Sequence, residues 1–421
     1  MEYRSYNAKS FVKHPLVAKH LRPQEIEQIR IVAQVFPFKV NNYVIEKLID
    51  WQHYKDDPIF RLTFPQKDML EPEDYEQVKG SMEYPEQLKE VVKNIRLKLN
   101  PHPAGQLSNV PEIGGKRLEG SQHKYRETIL FFPKQGQTCH AYCTFCFRWP
   151  QFVGMDELKF ASKEVELLID YIKAHPEITD VLFTGGDPLI MSTKLLRAYI
   201  EPLIGAKIPH LKNIRIGTKS LGFWPYRFTR DKDADDLLKL FKQIKEAGYH
   251  LAFMAHFNHY KELQTEEVKE AVERIKATGA IIRTQSPILC HINDSTEVWA
   301  TMWKEQVALD MIPYYMFVAR DTGAQHYFGV PLAKAWEIYQ DAISQVSGLA
   351  RTVRGPSMSA TPGKVAVVGV SEVDDQKVFV LNMLQAKNPD LVDRPFFAKY
   401  DPKALWLDDL KPAFADRFIF E

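Results

Sequence analysis

Cysteine is scarce in this chain: four of 421 residues, at positions 139, 143, 146 and 290. That is too few for a disulfide-stapled scaffold. An excess of either charge is also missing. Lys+Arg is 55 and Asp+Glu is 54, a formal net charge of +1, so no global field draws the chain to nucleic acid or to a membrane surface. No apolar run approaches the roughly 18–20 residues that cross a bilayer. The first stretch, MEYRSYNAKSFVKHPLVAKHL, lacks the apolar core of a secretion leader. The expected setting is a reducing cytoplasm, with no membrane and no nucleic-acid partner. No repeat of about 20–50 residues points to a solenoid. What remains, 45% hydrophobic and 26% charged residues, is the composition of an ordinary soluble globular protein.

Residues 1 to about 120 read as a helical and irregular region. IEQIRIVAQVF and YVIEKLIDWQ carry helical apolar spacing, and the Pro-rich stretches DDPIFRLTFPQKDML and LNPHPAGQLSNVPEIGG read as extended or turn segments. From about 121 to 346 short β-type runs alternate with amphipathic stretches. The runs are 128–132, 181–184, 213–217, 251–255, 280–284 and 312–318; the helical stretches include SKEVELLIDYIKAH, DADDLLKLFKQIKEAG, TEEVKEAVERIKATG and STEVWATMWKEQVALD. Helix starts are signalled at Ser162 and Thr265, each followed by glutamates. Such alternation predicts parallel strands with crossover helices, hence an α/β fold: a partial (β/α)6 TIM-type barrel, with a doubly wound sheet as the open alternative. Residues 347–421 form a C-terminal extension expected to return over the barrel mouth. Its aromatic tail, ALWLDDLKPAFADRFIFE, suits the covering of apolar surface on this chain or on a second copy, so a homo-oligomer is compatible with it.

Chemically suggestive residues follow each predicted strand: the cysteines, then Gly185-Gly186-Asp187, Lys219, His256, Gln285 and Arg320. Active sites of barrels are built at these carboxyl ends. Cys139, Cys143 and Cys146 have the spacing C-x3-C-x2-C. Three thiolates on one loop can hold three irons of a [4Fe-4S] cube and leave the fourth open to a small molecule. The plainer alternative is a set of buried or zinc-binding cysteines, for which Cys290 is remote in sequence and His140 sits at awkward spacing.

With Phe145 as the aromatic before the last cysteine, the motif resembles that of the radical S-adenosylmethionine (SAM) enzymes. The segments HKY…ILFF, LFTGGDPL, IRIGTKS, AHFNH, HIND and PYYMFV, in that order, are similar to lysine 2,3-aminomutase and its relatives over about residues 57–364. The resemblance implies an isomerase that shifts an amino group between adjacent carbons, using a [4Fe-4S] cluster, SAM and pyridoxal phosphate (PLP), with a flavodoxin or ferredoxin as electron donor. It implies that Cys139, Cys143 and Cys146 ligate the cluster, that Phe145 packs near the adenine, and that Gly185, Gly186 and Asp187 form the glycine motif beside the SAM amino group. Lys364, in Thr361-Pro362-Gly363-Lys364, resembles the lysine that holds PLP; a solvated lysine opening the run VAVVG is the alternative. Arg148 stands where the family grips the substrate α-carboxylate, and a bidentate guanidinium pair would do that. His256, Gln285 and Lys219 resemble contacts to SAM, PLP, or a carboxylate or phosphate.

Three departures bear on function. The family's arginine near the start of the first strand, which reaches the PLP phosphate, is replaced in the stretch Tyr125-Arg126-Glu127-Thr128, so Arg126 or Lys124 must substitute for PLP to bind well. Zinc-binding cysteines are missing; Ser295 stands where one would lie. The aspartates that clamp the lysine ammonium are missing too. Arg320 occupies one place with Asp321 beside it, and between Asp341 and Glu372 there is no carboxylate but Arg351 and Arg354. Burying an ammonium without a counter-charge is costly, so the expected substrate tail is acidic or neutral polar, glutamate fitting best. Two competing readings are a radical SAM enzyme without PLP, acting on another amino acid or a protein lysine, and a non-catalytic iron–sulfur or zinc protein.

Overall fold

Eleven strands join one mixed sheet in the computed structural model, which describes residues 1–100, 108–154 and 161–421. Residues 101–107 of the second Pro-rich stretch lie outside the described residues. At the sheet's centre are the six expected parallel strands, in chain order: Thr128–Phe131, Asp180–Phe183, Asn213–Thr218, His250–His256, Ile281–Ile288 and Ile312–Val318. The crossovers run through the helices Val165–Ala174, Thr193–Gly205, Ala234–Glu246, Glu266–Lys276 and Thr296–Ala308. The Thr265 and Ser295 side chains cap their helices by accepting from the Val268 and Val298 amides. Ser162 instead accepts from the Glu164 amide at 3.0 Å, and its helix begins at Val165. Leu168, Phe183, Ile216, Phe241, Phe253 and Val272 are fully buried between sheet and helices.

The sheet does not end with the sixth strand. Arg354–Ser359 pairs parallel to it, and Gly363–Val373, Gln376–Ala386 and Pro395–Lys399 follow antiparallel. Residues 354–399 thus continue the same sheet, and the tail beyond them comes back to its carboxyl end, with Trp406 5.2 Å from the Arg320 guanidinium. At the other edge Ser121–Tyr125 pairs antiparallel with the first parallel strand. The order of strands is linear, so no ladder closes the ring among the described residues. The sheet curls nonetheless: the Lys124 ammonium, from the strand before the parallel array, donates to the Ser359 carbonyl at 3.2 Å and to that of Ala360.

In the N-terminal region five helices, Pro15–His20, Pro23–Val35, Pro58–Thr63, Pro72–Ser81 and Pro85–Leu99, each begin on a proline. Proline costs nothing at the first helical position, where its missing N–H would lack a partner anyway. The segment DDPIFRLTFPQKDML, read as extended, therefore starts a helix, capped by Asp57 through the Phe60 amide at 2.8 Å. YVIEKLIDWQ yields only a wide five-residue turn, Val44–Leu48. This region packs on the residues after the first parallel strand, burying Phe36, Phe64, Trp149 and Trp224 in one core.

Candidate active site

The three clustered cysteines lie on the loop leaving the carboxyl end of the first parallel strand. Two turns compact it: the Cys146 amide donates to the Cys143 carbonyl at 3.1 Å, and the Trp149 amide to that of Cys146 at 3.0 Å. Burial pushes all three thiols up, Cys146 to about 11. Cys139 and Cys143 are raised further by the neighbouring thiols. Thiolates there require a strongly cationic group. Two thiolates on one tetrahedral zinc would stand about 3.8 Å apart, from a zinc–sulfur bond of about 2.3 Å. No three His, Cys, Asp or Glu side chains among the described residues close on such a single-ion position. The donor set, three thiols on one loop, fits a wider group in which each binds its own iron.

The loop is held by the turn after the second parallel strand. A Cβ on Gly186 would lie 2.4 Å from the Thr138 amide nitrogen and 2.5 Å from its carbonyl oxygen. Gly185 adopts φ +129 against the Gln137 side chain. The glycines therefore serve close approach to the cysteine loop itself. Asp187, expected at a cofactor, is buried and fully engaged. Its carboxylate accepts from the Thr218 hydroxyl (2.8 Å), the Lys219 amide (2.9 Å), the Ser220 hydroxyl (2.9 Å) and the Leu189 amide (3.0 Å). Its own amide donates to the Thr138 carbonyl at 2.8 Å. Asp187 thus ties together the ends of two strands and the cysteine loop. Lys219 is likewise committed: its ammonium meets the fully buried Glu262 at 2.5 Å and faces the Phe223 ring at 4.3 Å. Glu262 was missed in the sequence, where it gives no signal beyond a charge in a short turn.

Arg148 is buried and one of its Nη atoms has no hydrogen-bond partner. An unsatisfied buried donor costs about 1–3 kcal/mol, more when charged, a cost that an anion bound there would relieve. Its guanidinium lies 4.2 Å from the Phe132 ring and 5.0 Å from that of Phe147. Phe147 also meets Arg320 at 5.6 Å, and Trp406 from the C-terminal tail covers Arg320 at 5.2 Å. Arg320 donates through Nε to Asp321 at 3.3 Å. Burial and Arg320 both depress the Arg148 guanidinium, to about 10. A small cavity beside them is lined by Phe145, Cys146, Trp149, Arg320 and Phe328, with Phe145 edge-on to Phe328 at 6.4 Å.

Lys364 points to the inner side of the curl, 3.8 Å from the Tyr315 ring and 5.4 Å from Tyr125. Burial, with Arg215, Lys124 and Arg354 nearby, drives its ammonium well below the ordinary range. It is a buried amine, not a solvated lysine. The Tyr315 hydroxyl is buried without a partner. Lys124 faces the same space, depressed to about 7 chiefly by burial, whereas Arg126 points outward to Glu127 at 3.5 Å. Arg215 is already paired with Asp180 at 2.5 Å. His256 and Gln285, opposite each other on neighbouring strands, meet: the Gln285 amide nitrogen is 2.7 Å from His256 Nε2. Burial holds His256 neutral, its value pushed down to about 3. On the other side the ladder to the sixth strand slips between Thr284 and Gln285, where Tyr314 is the extra, unpaired residue. Arg351 is not part of this group; it is exposed and donates to the Val346 carbonyl at 3.0 Å. Arg354 is exposed at the strand start, with its guanidinium 6.0 Å from the Tyr314 ring.

The chain is 32% identical over 387 residues, 92% of its own length and 91% of the relative's, to an Aquifex aeolicus (strain VF5) protein described as "Putative L-lysine 2,3-aminomutase". It is 30% identical over 255 residues, 60% of this chain and 58% of the relative, to the L-lysine 2,3-aminomutase of Acetoanaerobium sticklandii. Among solved structures, Streptococcus suis SuiB bound to S-adenosylmethionine aligns with a TM-score of 0.37 and 14% identity, covering 62% of this chain and 53% of that one. No family model matches the chain.

Proposed function

This chain belongs to the lysine 2,3-aminomutase family of radical SAM isomerases, and from that premise we propose that it moves an amino group between the α- and β-carbons of an amino acid whose side chain is acidic or neutral polar, glutamate fitting best. The curled parallel array is read as a partial (β/α)6 barrel, and the cysteine loop, Arg148 and Lys364 as its reaction chamber.

One observation carries the reading: the unpartnered buried Nη of Arg148 beside a second guanidinium, Arg320, held between two aromatic rings. Two like charges so close favour an anionic ligand over an ammonium. Arg148 would take the α-carboxylate as a bidentate pair, and Arg320, braced by Asp321, the carboxylate of the side chain. Cys139, Cys143 and Cys146 would hold the cluster. Lys364, an amine whose charged form burial disfavours, suits covalent capture of the PLP carbonyl. Of Lys124 and Arg126, Lys124 faces inward and would meet the phosphate by exchanging its bonds to the Ser359 and Ala360 carbonyls. When bound, cluster and SAM supply a carbon-centred radical that takes and returns one hydrogen atom, and PLP supplies the π-system over which nitrogen moves. The chain's own work is positioning and exclusion of water. Phe132 and Phe147 wall the Arg148 guanidinium, so its charge acts in a low dielectric, and Tyr125, Tyr315 and Phe317 wall the Lys364 amine.

The test is substrate competition on anaerobically reconstituted protein with PLP. Glutamate is expected to give its β-amino isomer with kcat/KM at least tenfold above that for lysine. Faster conversion of lysine overturns the substrate assignment. SAM cleavage with no amino acid isomerised overturns the aminomutase reading in favour of another radical reaction.

A further inference from the structure

The residues before the sheet do more than pack against it; they grip the cysteine loop from outside. The short strand Lys39–Asn41 runs along that loop, with the Tyr142 amide donating to the Lys39 carbonyl at 2.8 Å. Asn41 Nδ2 donates to the His140 carbonyl at 3.3 Å and to that of Phe223 at 2.9 Å, and the Tyr3 hydroxyl also reaches the His140 carbonyl, at 2.8 Å. On the far side the Thr144 amide and hydroxyl donate to the Leu62 and Arg61 carbonyls at 2.9 and 2.8 Å. Within this clamp one side chain carries charge towards the cysteines. The Lys39 ammonium donates to the Cys139 carbonyl at 2.7 Å and to the Thr138 hydroxyl at 3.4 Å, and lies 5.6 Å from the Tyr142 ring.

We propose that Lys39 is a positioning residue that sets the reduction potential of the metal centre held by Cys139, Cys143 and Cys146, by fixing one positive charge against the carbonyl of the first ligand; this rests on the cluster reading given above. Taking up one electron makes a thiolate-ligated cluster more negative. A fixed cation at its edge, walled by protein, favours the reduced form more than a solvated one would. The ammonium and its bond to the ligand's carbonyl act together: the bond keeps the charge in place, and the charge acts on the redox centre.

The experiment is potentiometric titration, followed by electron paramagnetic resonance, of the full-length protein reconstituted with iron and sulfide, with no substrate present. Lys39→Met keeps the stem and removes the charge; Lys39→Gln keeps an amide donor; Lys39→Arg keeps the charge. Methionine and glutamine variants with wild-type iron content are expected to show a reduction equilibrium at least tenfold less favourable, about 59 mV for one electron. Lys39→Arg should restore it, and Tyr3→Phe, which removes a loop hydrogen bond but no charge, should leave it unchanged. An unchanged potential in Lys39→Met overturns the inference. So does equal loss in Lys39→Arg and Lys39→Met, or cluster loss in both uncharged variants with retention in Lys39→Arg, which would make the lysine an assembly residue only. A wild-type protein without a cubane signal would instead sink the cluster reading.

Discussion

Gly186 and Thr138 are packed backbone to backbone, so closely that a Cβ on the glycine would fall 2.4 Å from the threonine amide nitrogen. The turn after the second parallel strand is therefore the mould of the cysteine loop. Gly186→Ala has no flexible side chain to displace, because the atoms in its way are main chain. The expected result is a protein with wild-type far-ultraviolet circular dichroism that retains less than half the wild-type iron after reconstitution. Full iron content in the alanine variant would refute the mould.

Lys364 stands among Tyr125, Tyr315 and Phe317 with its charge suppressed. Adding PLP to the wild-type protein should produce a visible absorption band that Lys364→Ala lacks. The variant should lose isomerisation at least a thousandfold while still cleaving some SAM without product. A band that survives in the alanine variant would place the PLP linkage on another lysine.

Trp406 covers the Arg320 guanidinium from the tail, opposite Phe147. Removing one face frees the arginine to turn away. Trp406→Ala should raise KM for glutamate about tenfold with kcat changed less, and Trp406→Phe should recover most of the loss. A cation–π contact of this kind is worth on the order of 0.5–2 kcal/mol, which sets that scale. Equal effects on glutamate and on a substrate without a side-chain carboxylate would argue against the assignment of Arg320 to the tail.

His256 is held neutral by burial, its value lowered to about 3. The unfolded chain binds this proton below its ordinary value of about 6.5, and the folded chain does not until about pH 3. Stability therefore falls as pH drops through that window, by at most about 1.4 kcal/mol per pH unit for each such proton. Urea melts of the metal-free protein should show a shallower acid slope in His256→Gln than in the wild type. Parallel slopes would mean that the imidazole is not kept neutral in the fold.

Much of the frame was legible from residue order. Strand–helix alternation located six parallel strands to within a few residues, because period-two and helical patterns are local. The five proline-led helices were harder: a proline marks a boundary without saying whether it closes an extended segment or opens a helix. The fate of individual polar residues was hardest of all. Asp187 and Lys219 follow strand ends just as Gln285 does, yet Asp187 is consumed by Thr218, Ser220 and two amides and Lys219 by Glu262, whereas Gln285 meets His256. Arg351 and Arg354 looked alike in sequence; Arg351 caps its own turn.

The order of residues alone determined the C-x3-C-x2-C loop and the alternating α/β frame, since each is a matter of residue type and spacing along one segment. Only the tertiary structure decided which charges are spare. Whether a lysine or arginine is free for a ligand depends on carboxylates and carbonyls brought from distant segments. It took the folding of distant segments together to leave Arg148 unpartnered and to strip Lys364 of its solvent, and the packing of the N-terminal region on the cysteine loop to carry Lys39 across about a hundred residues to the carbonyl of Cys139.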